Sequence, residues 1–318
     1  MFSVLRKHFF ILEVTMNKTY ELRVYDSLEH LPSNCWKKES IVDFEKTFAV
    51  KWYIIFAYDG ESIIGSLRIL RNPDDISNWY ICEVHTLEQY RRIGIATKMY
   101  TVAFNLIKEY FAASSITVSI SADNRASICL HNKLGFCNTS NLSMFADFCF
   151  EADETMYTLW LAQCYPVKNT PIHLDLLRPM WISYMNEIEE HDSEEELVNG
   201  LQTRIRLSEN QEQIFFEIIW SGDTAIGFAF YSVDGGIQNL IPAGYGYIME
   251  FYLLNQWRKR GIGANVVSDI CNKLKGLGCP KIYLTPVPQS ENFWLNTGFN
   301  NSGLIDPDNE LPILVKEL

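Results

Sequence analysis

Two short runs carry the clearest chemical signal in the chain: Arg91-Arg92-Ile93-Gly94-Ile95-Ala96 and Arg258-Lys259-Arg260-Gly261-Ile262-Gly263. Each lies between a segment patterned as a strand and one patterned as a helix. The first turn of a helix has unpaired N–H groups and the positive end of the macrodipole, and small residues there let an anion approach the main chain. Basic side chains beside such a turn suit a diphosphate. One glycine turn of this kind is often an ordinary strand-to-helix connection; its recurrence in the same context marks a site used twice. Glu83 and Glu250 stand at equivalent positions, eight residues ahead of the first arginine of each run. A carboxylate there serves as a base, orients a water, or is an ion-paired strand residue. His85 shares the face of Glu83 if the strand is regular. Such a pair suits deprotonating an ammonium group, the competing reading being a packed strand histidine.

The elements that must hold these residues come as a duplication. Residues 80–96, YICEVHTLEQYRRIGIA, and 247–263, YIMEFYLLNQWRKRGIG, share eight identities in seventeen positions, where chance gives about one. The register extends outward, with WYIIFAYDGESIIG (52–65) matching FFEIIWSGDTAIG (215–227) as a hairpin, and CLHNKLGF (129–136) lining up with NFWLNTGF (292–299). Each copy predicts N-terminal helical material, the hairpin, a strand, the glycine turn, an amphipathic helix, a further strand and a short helix ending in Gly-Phe. The fold class is mixed α/β. Ile95, Met99, Val102, Leu106 and Tyr110, and likewise Ile262, Val266, Ile270 and Leu274, recur near helical spacing and mark the packed faces. The strands ITVSIS (116–121) and KIYLTPV (281–287) follow as parallel neighbours through a right-handed crossover. Pro166 and Pro171 predict a linker at 165–171, between domains 18–164 and 172–318. Residues 1–15 read as an over-long start or a flexible arm.

Composition narrows the classes. Apolar residues make up 47% of 318, enough for two packed cores. The net charge of −12 argues against affinity for nucleic acid; it suits a cationic substrate or plain solubility. No apolar run is long enough to span a bilayer and no signal peptide is read, so a cytoplasmic protein without membrane partner is expected. Eight cysteines without a Cys-x-x-Cys pair read as reduced, mostly buried thiols. His-Glu-x-x-His, Gly-x-Ser-x-Gly and a Gly-Lys-Ser/Thr ending are all absent, so neither metal nor ATP is expected.

In these residues the chain resembles the GNAT superfamily of N-acetyltransferases. The family's acyl-CoA signature is Arg or Gln, two residues, Gly, one residue, then Gly or Ala, and both runs meet it. Asn124-Arg125-Ala126 followed by His131-Asn132-Lys133-Leu134-Gly135-Phe136 resembles a second family segment. The resemblance covers about residues 18–164 and 172–318. It implies two such folds in tandem, each a mixed central sheet flanked by helices, and an acyl-CoA-dependent N-acetyltransferase in which the primary amine of a small-molecule or peptide acceptor attacks acetyl-CoA directly in a ternary complex. It further implies that Arg91, Arg92, Ile93, Gly94, Ile95, Ala96 and Asn124, and in the second copy Arg258, Lys259, Arg260, Gly261, Ile262 and Gly263, hold the coenzyme. The backbone of Val84, His85 and Thr86, and of Phe251, Tyr252 and Leu253, would bond the pantetheine and acetyl group where parallel strands splay. Many relatives protonate the departing thiolate from a tyrosine at the position of His131 and Trp294. Histidine can donate a proton and an indole cannot, so copy two departs from the pattern unless Tyr252 or Tyr283 reaches the sulfur.

The catalytic candidates are therefore Glu83, His85 and His131 in copy one, and Glu250 and Tyr252 in copy two. Copy one is the better candidate for chemistry, because it retains an Asn124-type segment and an acid; copy two keeps the fuller phosphate loop. The acidic run Glu187 to Glu196 lies where the family's first helices wall the acceptor site, and it either attracts a cationic amine or is a solvated helical surface. The alternative function is a non-catalytic acyl-CoA-binding or interaction protein with one or both sites degenerate. An aminoacyl-tRNA-dependent transferase is a third class, disfavoured by two coenzyme loops and the negative charge. Neither the acceptor amine nor the oligomeric state is legible.

Overall fold

The computed structural model describes residues 12–14, 20–33, 35, 51–109, 113–140, 144–145, 148–149, 153–189 and 192–318. The chain forms two compact units, residues 1–161 and 162–318, each a mixed sheet flanked by helices. Unit one contains β1 (Leu12–Val14), β2 (Tyr20–Tyr25), β3 (Trp52–Asp59), β4 (Ser62–Arg71), β5 (Asn78–Thr86), helix α1 (Ile95–Lys108), β6 (Ser115–Ser121), helix α2 (Arg125–Lys133), β7 (Cys137–Ser140), β8 (Met144–Phe145), β9 (Phe148–Cys149) and β10 (Glu154–Trp160). Its main sheet runs β1-β2-β3-β4-β5-β6-β10-β7, and β8 pairs with β9. Unit two contains β11 (Gln163–Pro166), helices α3 (Pro171–Glu187) and α4 (Glu194–Asn210), β12 (Ile214–Ser221), β13 (Thr224–Val233), β14 (Gly246–Leu253), α5 (Ile262–Gly276), β15 (Lys281–Leu284), α6 (Glu291–Asn296), β16 (Asn300–Ile305) and β17 (Pro312–Glu317). Its sheet runs β11-β12-β13-β14-β15-β17-β16.

The parallel pairs among the described residues are β5–β6 and β14–β15, the strands joined through α1 and α5. Both pairings are brief. β5 meets β6 at Asn78↔Ser115, Trp79↔Ile116 and Tyr80↔Thr117, although β5 continues to Thr86. β14 meets β15 at Gly246↔Ile282 and Tyr247↔Tyr283 and continues to Leu253. Past those points β5 stays with β4 while β6 stays with β10, so the sheet opens into a V on the side of the glycine turn. A register slip accompanies each opening. The β4–β5 register shifts between Ser66↔His85 and Arg68↔Cys82, and the β13–β14 register between Phe230↔Glu250 and Tyr231↔Ile248. An extra residue bends and twists its strand, which carries β5 and β14 away from their parallel neighbours.

Helical spacing produces the expected faces. α1 buries Ile95, Met99, Tyr100, Val102, Ala103 and Ile107 against Ile55, Leu67, Ile69 and Trp79, with Leu106 half-buried beside them. Tyr110 lies outside the described residues, and α1 ends at Lys108. α5 buries Ile262, Val266, Ile270 and Leu274. The opposite face of unit two is covered by α3 and α4, whose Leu177, Trp181, Leu201 and Ile205 pack on Phe216, Ile218, Phe228 and Phe230. Fully burying side chains of this size contributes about 1.5–3 kcal/mol each. α4 starts with a capping box between Ser193 and Glu196.

The segment expected as a linker, 165–171, is built differently. β11 pairs with β12 from Gln163↔Trp220 to Pro166↔Glu217, so the chain has already entered unit two at Ala162. Pro166 ends an edge strand, where a missing N–H is tolerated, and Pro171 opens α3 behind the Thr170 cap. The two prolines mark element ends. No helix among the described residues is long and apolar enough to cross a membrane.

Candidate functional site

A single 3-10 turn follows each diverging strand, Glu88–Tyr90 after β5 and Asn255–Trp257 after β14. The bends then take the same path: φ is 63° at Arg92 and 88° at Gly94, and 60° at Lys259 and 77° at Gly261. Left-handed backbone is easy for glycine but costs a bulky residue about 1–3 kcal/mol, strain that persists where function or surrounding structure demands it. Gly94 and Gly261 are the N-caps of α1 and α5, so neither helix has a side-chain cap on its first turn. In unit one Arg91, Arg92, Ile93 and Gly94 are all exposed, and Ala96 is half-buried. An uncapped helix start, reached through a left-handed glycine beside an open sheet, fits a pyrophosphate.

The first arginine of each run braces the bend. Arg91 Nε donates to the Thr86 carbonyl at 3.2 Å and Arg258 Nε to the Leu253 carbonyl at 2.7 Å. Arg258 also pairs with both carboxylate oxygens of Glu187, at 2.7 and 3.0 Å, and lies 5.2 Å over the Tyr252 ring. Lys259 is exposed, and Arg260 lies over Trp257 at 5.1 Å. Ile262 and Gly263 are buried. A Cβ on Gly263 would come within 3.0–3.1 Å of the Phe293 ring, which itself stacks on Phe251 at 5.9 Å.

In unit one the bulge falls on Glu83, whose φ is 52°. Strand alternation is lost there, so the regular strand that would set Glu83 and His85 on one face does not exist. Glu83 instead turns its carboxylate to Arg68 Nη2 at 3.2 Å, and its carbonyl accepts from Ser66 Oγ at 3.2 Å. Arg68 is 8% exposed along its side chain and also donates from Nε to Cys82 Sγ at 3.4 Å. His85 is exposed and Val84 packs at the core margin.

His131, the residue expected to serve as an acid, is buried in the fold. It is 3% exposed. Its Nδ1 lies 2.8 Å from the Ser127 carbonyl, which can only accept, so Nδ1 carries the proton. Nε2 then accepts from the Tyr100 hydroxyl. Burial holds the imidazole below the usual histidine range, with the Ser127 carbonyl opposing, and both ring nitrogens are engaged inside the fold. Asn124 caps α2, its side chain accepting from Ser127 N at 3.1 Å.

In unit two Glu250 is 9% exposed. Oε1 pairs with Arg204 Nη2 at 2.7 Å, and Oε2 accepts from the Tyr184 hydroxyl. Burial, then the Glu250 charge, push the Tyr184 phenol far above its usual range, so it stays a donor. The Tyr252 hydroxyl is shared between Ser183 Oγ at 2.8 Å and Glu187 Oε1 at 3.2 Å, and burial raises its pKa. Tyr283 bonds Asp234, stacks on Tyr247 at 4.5 Å and is likewise raised by burial. Both tyrosines offered as substitute acids are thus engaged within unit two. Trp294 is buried among Phe251, Phe293 and Phe299.

The acidic run is also used internally. Glu187 holds Arg258, Glu194 pairs with Arg178 at 2.6 Å, and Glu196 closes the α4 capping box; Glu190 lies outside the described residues. The residues missed from sequence are Arg68, Arg204 and Tyr184. An arginine inside the apolar strand SIIGSLRILR was a readable cue for the first. A hollow of about 350 Å³, lined in part by Leu240, Tyr245, Lys281 and Glu317, lies at the starts of β14 and β15, away from the Gly261 bend.

The sequence matches the acetyltransferase (GNAT) family model over residues 21–136 and 174–299. An N-alpha-acetyltransferase of Sulfurisphaera tokodaii is 31% identical over 72 residues, 23% of this chain and 43% of that protein, so the match spans less than half of that relative. Among solved structures, an acetyltransferase from Thermus thermophilus aligns with a TM-score of 0.41 and 19% identity over 50% of this chain and 99% of its own. The PaiA N-acetyltransferase from Thermoplasma acidophilum in complex with coenzyme A gives 0.37 and 19% over the same shares.

Proposed function

The chain belongs to the GNAT acetyltransferase family, and from that premise we propose that it is an N-acetyltransferase, moving an acetyl group from acetyl-CoA to a primary amine at a site in each unit. The observation that carries this reading is the twice-built bend: a left-handed glycine N-cap, Gly94 or Gly261, opening a helix without a side-chain cap beside diverging parallel strands. Its amides are suited to the pyrophosphate, and the V between the strands to the pantetheine arm. The amine nitrogen bonds to the thioester carbon, the C–S bond breaks, and sulfur leaves with the electron pair. Strand amides of β5 or β14 bordering the opening stabilise the carbonyl oxygen as it gains charge. Glu83 or Glu250, at the bulge, receives the proton lost by the nitrogen.

No buried acid is needed for the sulfur. A thiolate is a far better leaving group than the amine it is exchanged for, and water supplies its proton; the internal bonding of His131, Tyr252 and Tyr283 accords with this. The same bonding favours the second reading, an acyl-CoA-binding protein that transfers nothing. Mass spectrometry of primary amines incubated with purified protein and acetyl-CoA separates the two: acetylated amine is expected, and bound coenzyme without product would establish the second reading. Absence of heat and of any thermal shift with every coenzyme thioester would sink both.

A further inference from the structure

The glutamate at each bulge is held by an arginine, yet the two arginines come from unrelated places. In unit one it is Arg68, on the neighbouring strand β4, 3.2 Å from Glu83. Aligning the repeats at Gly65 and Gly227 puts Phe230 at the position of Arg68, and in unit two that strand offers no charge. The guanidinium arrives instead from helix α4: Arg204 lies 5.9 Å over the Phe230 ring and 4.7 Å over Trp181, and reaches Glu250 at 2.7 Å. The ion pair therefore recurs in space but not in sequence.

Stability alone explains this poorly. Desolvating two charges offsets their attraction, and apolar replacement of a buried pair is often neutral or stabilising. Had fold maintenance been the sole requirement, a unit with an apolar residue opposite the bulge had no reason to bring in a new arginine beside a buried carboxylate. We infer that Arg68 and Arg204 are positioning residues that hold the bulge carboxylate of their unit in one fixed orientation, the one from which it receives the amine's proton. The inference rests on the acetyltransferase reading above.

The full chain tests it, with one bend disabled by Gly261→Asp so that turnover reports on unit one. Arg68→Met is expected to lower kcat about tenfold or more while KM for acetyl-CoA stays within about twofold. Arg68→Lys should restore most of the loss, and Arg68→Met should add nothing to Glu83→Gln. The mirror arm places Arg204→Met in a Gly94→Asp background. Parent-level kcat in a folded Arg68→Met protein, or losses from Arg68→Met and Glu83→Gln that multiply, would overturn the inference and leave the acetyltransferase reading standing. If Arg68→Met does not fold, Arg68→Lys against Arg68→Gln decides, equal rates of the two overturning it. Absence of transfer by the unmodified protein overturns the function itself, and this inference with it.

Discussion

The bend of unit one and the bend of unit two share a main-chain path but not a setting. Unit one packs Val84, Leu130 and Phe136 in or against its core and His131 against Phe136; unit two, at matching positions, packs Phe251, Phe293, Trp294 and Phe299 against one another. His131 meets Phe136 edge-on at 5.1 Å and Trp294 meets Phe299 edge-on at 5.5 Å, so one core position accepts either planar ring. The left-handed pairs at residues 92 and 94 and at 259 and 261 are kept throughout. Where recognition is done by amides, side chains are free to change as long as the path survives, and that freedom explains how two diverged sequences keep one geometry.

The largest expected effect breaks this comparison outright if it fails. Aspartate tolerates left-handed backbone but sets a negative charge against the pyrophosphate, so Gly94→Asp and Gly261→Asp should each weaken acetyl-CoA binding at its own unit about a hundredfold or more. Calorimetric stoichiometry should fall from two to one in either variant. An unchanged titration for Gly261→Asp would mean that its bend is only an echo of the first.

Next in size is His131→Phe, which leaves the Tyr100 hydroxyl without its partner in a core where that group is fully buried. A loss of about 1–3 kcal/mol in denaturant unfolding is expected, with turnover of a good amine unchanged; reduced turnover in the folded variant would identify His131 as an acid. The variant also has a pH signature. Burial lowers the folded-state pKa of His131, so below the ordinary value of 6.5 the unfolded chain takes up a proton that the native chain refuses. The stabilisation is complete above that value and declines as pH falls from it, a slope that His131→Phe should flatten.

Smaller still is Gly263→Ala, the exchange that unit one already carries as Ala96. Its Cβ meets the Phe293 ring at 3.0 Å, and overpacking should cost about 1 kcal/mol. Phe293→Leu, which copies Leu130, should relieve it, and a double-mutant cycle on thermal unfolding would register the coupling. Least of all should be Glu187→Gln. With 41% of its side chain exposed, its pair with Arg258 is screened by solvent and worth well under about 1 kcal/mol. A change in melting temperature comparable to that of His131→Phe would show that the brace at this bend matters more than its exposure suggests.

Much of the fold was legible because its signals are local. Ile262, Val266, Ile270 and Leu274 show a helix face whatever lies opposite, and Gly94 and Gly261 announce left-handed bends by lacking a side chain. The site was only half legible. Glu83 and Glu250 could be picked out by their shared place in the repeat, but not their partners: Arg204 is 46 residues from Glu250, and the pair exists only once α4 has packed over the sheet. The bulge at Glu83 undid an inference from strand alternation because one extra residue reverses every facing beyond it.

The sequence by itself determined that this protein is a duplicated α/β chain with two glycine-opened helix starts, since periodicity and backbone permissiveness belong to the residues alone. Only the tertiary structure decided what those starts are surrounded by. It buried His131, tied Arg258 to Glu187, began the second unit at Ala162 and gave each bulge glutamate its own arginine. Burial and charge pairing depend on which distant segments arrive beside a residue, and side-chain identity at a position carries no record of that.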